Sequence, residues 1–348
     1  MFCIIINDFL NTQTIPDPAQ DGISSVAVSP QRHRRDTRAK AVLKTKLITL
    51  THDVTVDDAI AAIIINARDH WAVNEVAARQ GRDVEGVHQV RVSLRHIRSA
   101  LSLFKTFIPE TQRQWLNGES RWLLNEHGAV RDLDVFAAKF LPTATLDVPH
   151  PQNMRTIRKA LRAARHLAQD RASTALELMH SQRFMRRLET WLARRGWRVA
   201  MENEVKNART SLVRVYALRA LNNRLIKILA HGKRVDTLLV EQLHEIRISV
   251  KKIRYGTEFF QTVLPKRRAT KLASILKGLQ DSLGHLNDLV VAEQIVGQLA
   301  AALKNTKASS SIAAAGMMVI AYHRRAANDA AYSIIPRWRE LRKFGLIE

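Results

Sequence analysis

The sequence predicts an all-α protein made of two pseudo-symmetric helical bundles, preceded by a flexible basic N-terminal extension. Three observations predict it. Apolar residues recur at spacings of three and four from about Thr51 onward, and no sustained alternation bounded by turn residues marks a strand. The stretch HQVRVSLRHIRSALSLF at 88–104 returns as HEIRISVKKIRYGTEFF at 244–260, an offset of 156 residues. The same offset relates Pro109 to Pro265, Gly128 to Gly284 and Asp132 to Asp288, which points to a tandem duplication.

At 348 residues the chain has length for two units of ordinary size. Residues 1–48 read as the extension: Pro16, Pro18 and Pro30 are followed by the basic run QRHRRDTRAK. Residues 49–197 and 198–348 read as the two halves of one domain. Thr55 followed by Asp58 resembles an N-terminal cap, and Ile60, Ile63, Ile64 and Ala67 continue as a helix ending near Gly81. The first motif helix runs from about Asp83 to Phe107 and is stopped by Pro109. A helix over Gln112 to His127 follows, and Gly128 breaks it before RDLDVFAAKF. After a proline-marked loop, 153–195 reads as one long helix because it contains no internal Gly or Pro.

In the second half, Val205 to Ala230 reads as one helix and the second motif helix runs to Leu264. A helix over Lys271 to Leu283 leads to Gly284 and a further helix containing Asp288. Asn305 to Ser311 is a polar break before the final helix. The expectation is eight to ten helices.

On either motif helix, ~100° per residue gathers one imidazole and three cations into a strip roughly 80° wide. In the first copy these are His88, Arg91, Arg95 and Arg98; in the second they are His244, Arg247, Lys251 and Arg254. Val90, Leu94, Ile97, Leu101 and Phe104 form the opposite, apolar stripe, matched by Ile246, Val250, Ile253 and Phe260. Like charges crowded this closely repel one another, so a negatively charged partner should lie across them. A solvated face would explain one such helix. The cationic positions repeat, however, while exposed neighbours such as Ser102 and Glu258 have diverged.

Composition agrees: 55 Lys and Arg against 32 Asp and Glu give a net charge of +23, which calls for a polyanion or an anionic surface. The single Cys3 excludes an internal disulfide and a cysteine-based zinc site, and suits a reducing cytoplasm. No run of 18 or more apolar residues predicts a membrane span. There is no GxxxxGK[ST] loop, so phosphate would be held by side chains, with arginine forks suited to two oxygens at once. Glu202-Asn-Glu204-Val-Lys206 matches the signature of triphosphate tunnel enzymes, but in a helical run it reads as chance. Asp132 and Asp134, two apart, do not share a helix face and read as structural, pairing with a motif arginine or capping a helix. No metal, cofactor or catalytic residue is expected.

The doubled His-x-x-Arg-[Val/Ile]-x-x-[Arg/Lys]-x-Ile-Arg pattern, each time followed by Gly-x-x-x-Asp-Leu, resembles the CHAD family, the conserved histidine α-helical domain, over residues 50–348. The resemblance implies two pseudo-symmetric bundles that bind inorganic polyphosphate through basic side chains on the motif helices and at the junction of the halves. Carried over residue by residue, it implicates His88, Arg91, Arg95, Arg98, His244, Arg247, Lys251 and Arg254, with His96 and Lys252 as flanking candidates. It further implies a noncatalytic role in the cytoplasm, with association to polyphosphate granules. The second reading is a nucleic-acid or generic polyanion binder, but aromatics are only 6% of the chain, few for base stacking.

Overall fold

The computed structural model describes residues 42–81, 83–142, 151–199, 203–232, 235 and 240–347; the first 41 residues of the expected extension lie outside the described residues. Eleven α-helices follow in order among the described residues: α1 (Val56–Gln80), α2 (Val84–Leu103), α3 (Glu110–Glu126), α4 (Gly128–Val135), α5 (Pro151–Glu177), α6 (Met179–Ala193), α7 (Asn203–Thr210), α8 (Val213–His231), α9 (Val240–Phe260), α10 (Lys266–Ala302) and α11 (Lys307–Phe344). A π-helical turn, Phe136–Phe140, continues α4. No described helix is long and apolar enough to cross a membrane.

Local chemistry sets several helix ends where the sequence places them. Thr55 caps α1 by accepting from the Asp58 N–H at 3.1 Å, and Gly81 ends it in the left-handed region at φ 62°. Asp83 then caps α2 through the Glu85 N–H at 2.8 Å. The tight turn brings α2 against α1 so closely that a Cβ on Gly86 would lie 2.7 Å from the Ala77 carbonyl carbon. Pro109 and Pro265 immediately precede α3 and α10.

Four expectations need correction. The run 153–195 is two helices, broken at Leu178, which is extended at φ −58° and ψ 140°. Helix phase supplies the reason: Ile157, Leu161, Ala172 and Leu176 fall on one face, whereas Phe184, Leu188 and Leu192 fall about 140° or more around from Leu161, so one straight helix could not bury both sets. Val205 to Ala230 is likewise split at Ser211 and Leu212. There the chain pairs briefly with the segment before α1: the Val56 N–H donates to the Ser211 carbonyl at 3.0 Å and the Val213 N–H to the Val54 carbonyl at 2.9 Å. Gly284 does not break its helix, because α10 runs straight through it. Finally, residues 42–48, assigned to the extension, pack onto the helices: Asn74 holds both backbone groups of Leu43 at 2.9 and 3.0 Å, and Ile48 is buried.

The apolar interior forms two clusters. The larger takes Ile60, Leu94, Leu123 and Phe184 from the first half and Leu221, Ile253, Leu279 and Trp338 from the second. The smaller joins Phe136, Phe140 and Ile157 to Leu289, Ile312 and Val319. Each cluster therefore draws on both halves of the chain. Helices α2 and α9 pack together inside the larger one, their predicted apolar stripes buried without exception. At ~2 kcal/mol per large apolar side chain removed from water, those nine residues fix the rotation of both helices. The charged faces are thereby set as well.

Candidate anion-binding site

Burial of the stripes leaves His88, Arg91 and Arg95 of α2 beside Arg247 and Lys251 of α9. Two elements close the group: α4 contributes Arg131 and Asp132, and α10 contributes Asp288. The electrostatic influence of each group on the others records the arrangement. Lys251 is pushed down to about 7 by burial and then by Arg247 and Arg95, with Asp288 opposing. Arg91 is pushed down to about 10 by burial, Arg95 and Arg131, with Asp132 opposing. Burial likewise lowers Arg247, where Arg95 adds to the effect and Asp288 and Asp132 oppose it. His88 falls to about 4, again through burial first and Arg131 second, so at neutral pH it is an uncharged hydrogen-bonding group. His244 is shifted down by burial, Arg247 and Lys251 and stands, more exposed, at the same end of the second strip.

Cations outnumber counter-charges here. Arg91, Arg95, Arg131, Arg247 and Lys251 share Asp132 and Asp288, and Asp288 is already 2.9 Å from Lys139. Burial holds the Asp132 carboxyl above its ordinary range, with Asp288 adding to the rise and Arg91 and Arg95 opposing it. Sequence reasoning left Asp132 either to cap a helix or to pair with a motif arginine, and Arg91 and Arg95 both act on it electrostatically. Asp134 points elsewhere and accepts from Arg165 at 2.6 Å. Three buried nitrogens of the strips, His88 Nδ1, Arg91 Nε and Arg247 Nε, have no hydrogen-bond partner among the described residues. Buried polar groups are seldom left so.

The remaining strip residues do other work. Arg98 donates through Nε to Asn117 Oδ1 of α3 at 2.8 Å. Its counterpart Arg254 donates through Nε to Gln280 Oε1 of α10 at 2.7 Å, ion-pairs with Glu258 and lies 4.8 Å over the Tyr255 ring. Both fasten a motif helix to the helix after it. Arg91 has a double role, since one Nη1–H donates to the Leu124 carbonyl in the last turn of α3.

The two flanking candidates leave the strip altogether. His96 is buried between Tyr255 and Phe259, with ring centroids 5.1 and 5.4 Å away, so it belongs to the α2–α9 seam and not to a ligand surface. Lys252 is turned around α9 into a separate cavity. One helical position, about 80° from His88 or His244, explains both. The sequence does not say which further arginines complete the group: Arg131 joins it, whereas Arg171 forms a two-point ion pair with Glu126 at 2.6 and 3.1 Å.

Comparison with known proteins places the fold. The crystal structure of the CHAD domain from the plant Ricinus communis is similar to this chain with a TM-score of 0.74 at 25% identity, covering 86% of this chain and 97% of its own. PptA from Streptomyces chartreusis is similar in fold, with a TM-score of 0.61 at 18% identity, covering 82% of this chain and all of its own. None of the curated proteins matches. The CHAD domain family matches residues 62–297, from within α1 to within α10, a span that holds both basic strips, and the chain therefore belongs to the CHAD domain family.

Proposed function

We propose that this protein binds inorganic polyphosphate, without catalysis, in the basic site between α2 and α9. The observation that carries the reading is the surplus of half-buried cations from both motif helices over the two aspartates beside them, with unpartnered guanidinium N–H groups among them. A linear chain of phosphates offers closely spaced charges and acceptors with no bases to accommodate. Desolvated, mutually repelling cations suit such a ligand because binding removes the repulsion that the folded protein maintains. Membership of the CHAD family supports the same ligand. A cytoplasmic location and association with polyphosphate granules follow from this reading.

The duplication belongs to the same proposal: the halves 49–197 and 198–348 are related by a pseudo-twofold axis passing between the motif helices. In support, Arg95 influences Lys251 and Asp288 influences Asp132, and each pair occupies equivalent positions 156 residues apart. Electrostatic proximity of equivalent positions is what a two-fold relation produces near its axis.

The test is binding of labelled long-chain polyphosphate at near-physiological salt, challenged with unlabelled polyphosphate and with DNA and RNA matched in total phosphate. Polyphosphate should compete far more strongly than either nucleic acid. Equal competition by nucleic acid would make the site a generic polyanion surface.

A further inference from the structure

On the far side of α9 from the basic site lies a half-open cavity of 750 Å³, closed by α8, by α7 and by the turn after α2. Five cations line it: Lys105, Arg219, Arg224, Lys227 and Lys252. None has a carboxylate within ion-pair distance among the described residues, and of the two lining glutamates Glu245 is engaged with His231 at 3.1 Å. Burial lowers the proton affinity of both Arg224 and Lys252, and Arg224 adds to the effect on Lys252, so these two cations are close and partly desolvated. Between the cations the wall is apolar, formed by residues such as Phe107, Val205, Ala208 and Ile228.

Inorganic phosphates have no use for an apolar wall. A cavity of roughly 300–1,000 Å³ with an apolar wall and a few convergent charges is the usual form of a small-molecule site. We propose that this cavity binds an organic phosphate with three or more negative charges on an apolar or aromatic body, as in a nucleoside triphosphate. The site is separate from the α2–α9 site and does not rest on the polyphosphate reading. Lys251 and Lys252, adjacent in sequence and about 100° apart around one helix, then serve different anions.

Calorimetric titration of the full chain with ATP, without added divalent cation, tests this. The variant Lys227→Glu/Lys252→Glu changes only exposed side chains and should weaken ATP binding at least tenfold. Two further variants should change it less than threefold: Arg95→Ala/Lys251→Ala in the other site, and Lys271→Glu/Lys277→Glu, which makes the same change in net charge elsewhere. Adenosine should bind measurably but weakly, and inorganic tripolyphosphate should bind the Arg95→Ala/Lys251→Ala protein at least tenfold more weakly than ATP. An unchanged ATP affinity in Lys227→Glu/Lys252→Glu, an equal loss in the charge control, or tripolyphosphate matching ATP would each overturn the proposal.

Discussion

Arg95 and Lys251 hold the same place in the two copies of the motif, and they sit close enough that the arginine helps to strip the lysine of its proton. With burial and Arg247 acting in the same direction, Lys251 is half-protonated at about 7 instead of in the usual lysine range. The unfolded chain, with a lysine near 10.4, holds more protons there between about pH 7 and 10. Ligand-free stability therefore rises with pH across that window as far as this group is concerned. A bound polyanion reverses the preference.

Polyphosphate binding should accordingly take up a proton at pH 8, and affinity should fall as pH rises above 7. Calorimetry in buffers of different ionisation enthalpy counts the protons directly. Lys251→Arg, which stays charged, should abolish the uptake and flatten the pH dependence between 7 and 9.

Removing both equivalent cations, as in Arg95→Ala/Lys251→Ala, should weaken polyphosphate binding by about two orders of magnitude and flatten the salt dependence by about 1.4 in log–log slope, by analogy with single-stranded nucleic acid. The melting temperature without ligand should hold or rise, since a repulsive pair is lost. Arg91→Ala is a poorer probe of binding because it also frees the Leu124 carbonyl at the end of α3.

His96 makes the opposite prediction. Its ring is pushed down to about 3 by burial, then by His70, Arg254 and Arg95, and its Nδ1 has no partner among the described residues. The unfolded chain binds a proton at this position near pH 6.5, so stability is lost as pH falls from there toward 3. His96→Phe should keep polyphosphate affinity within twofold and show a smaller drop in melting temperature between pH 7 and 4.5. A large loss of affinity would return His96 to the ligand site.

Asp57 fastens the start of α1 to the turn after α6. It accepts from Trp197 Nε1 at 2.8 Å and from Arg198 at 2.5 Å, and pairs with Arg195 and with Arg209 at 3.3 Å. Asp57→Asn would leave several guanidiniums around one neutral amide and should destabilise the fold by about 3 kcal/mol in urea unfolding, with polyphosphate affinity unchanged in the folded fraction.

The sequence was most legible where periodicity and punctuation agree. The apolar stripes of both motif helices, the Thr55 cap and the Gly81 terminus could all be read directly, and the buried stripes fix which way the basic strips face. It misled at 153–195, where the absence of Gly and Pro suggested continuity but the apolar phase already shifts between Leu176 and Phe184. That shift was a readable signal. The pairing of Ser211 with Val56 was not, because it joins segments far apart in the chain through backbone groups alone. His96 and Lys252 looked like neighbours of the strip, yet at about 80° around the helix one meets the packing partner and the other a different cavity.

The shared interior also governs how the chain can be made. Synthesis delivers α1, α2 and α3 early, but the larger cluster that buries them still lacks Ile253, Leu279, Trp338 and Ile347. Until those arrive, the nascent first half carries an exposed apolar face and cannot lock into its final form. Completion of the larger cluster is therefore a late event, since it waits on residues that only the second half supplies. During that interval the nascent chain is most exposed to misassociation, and a chaperone holding it would matter most.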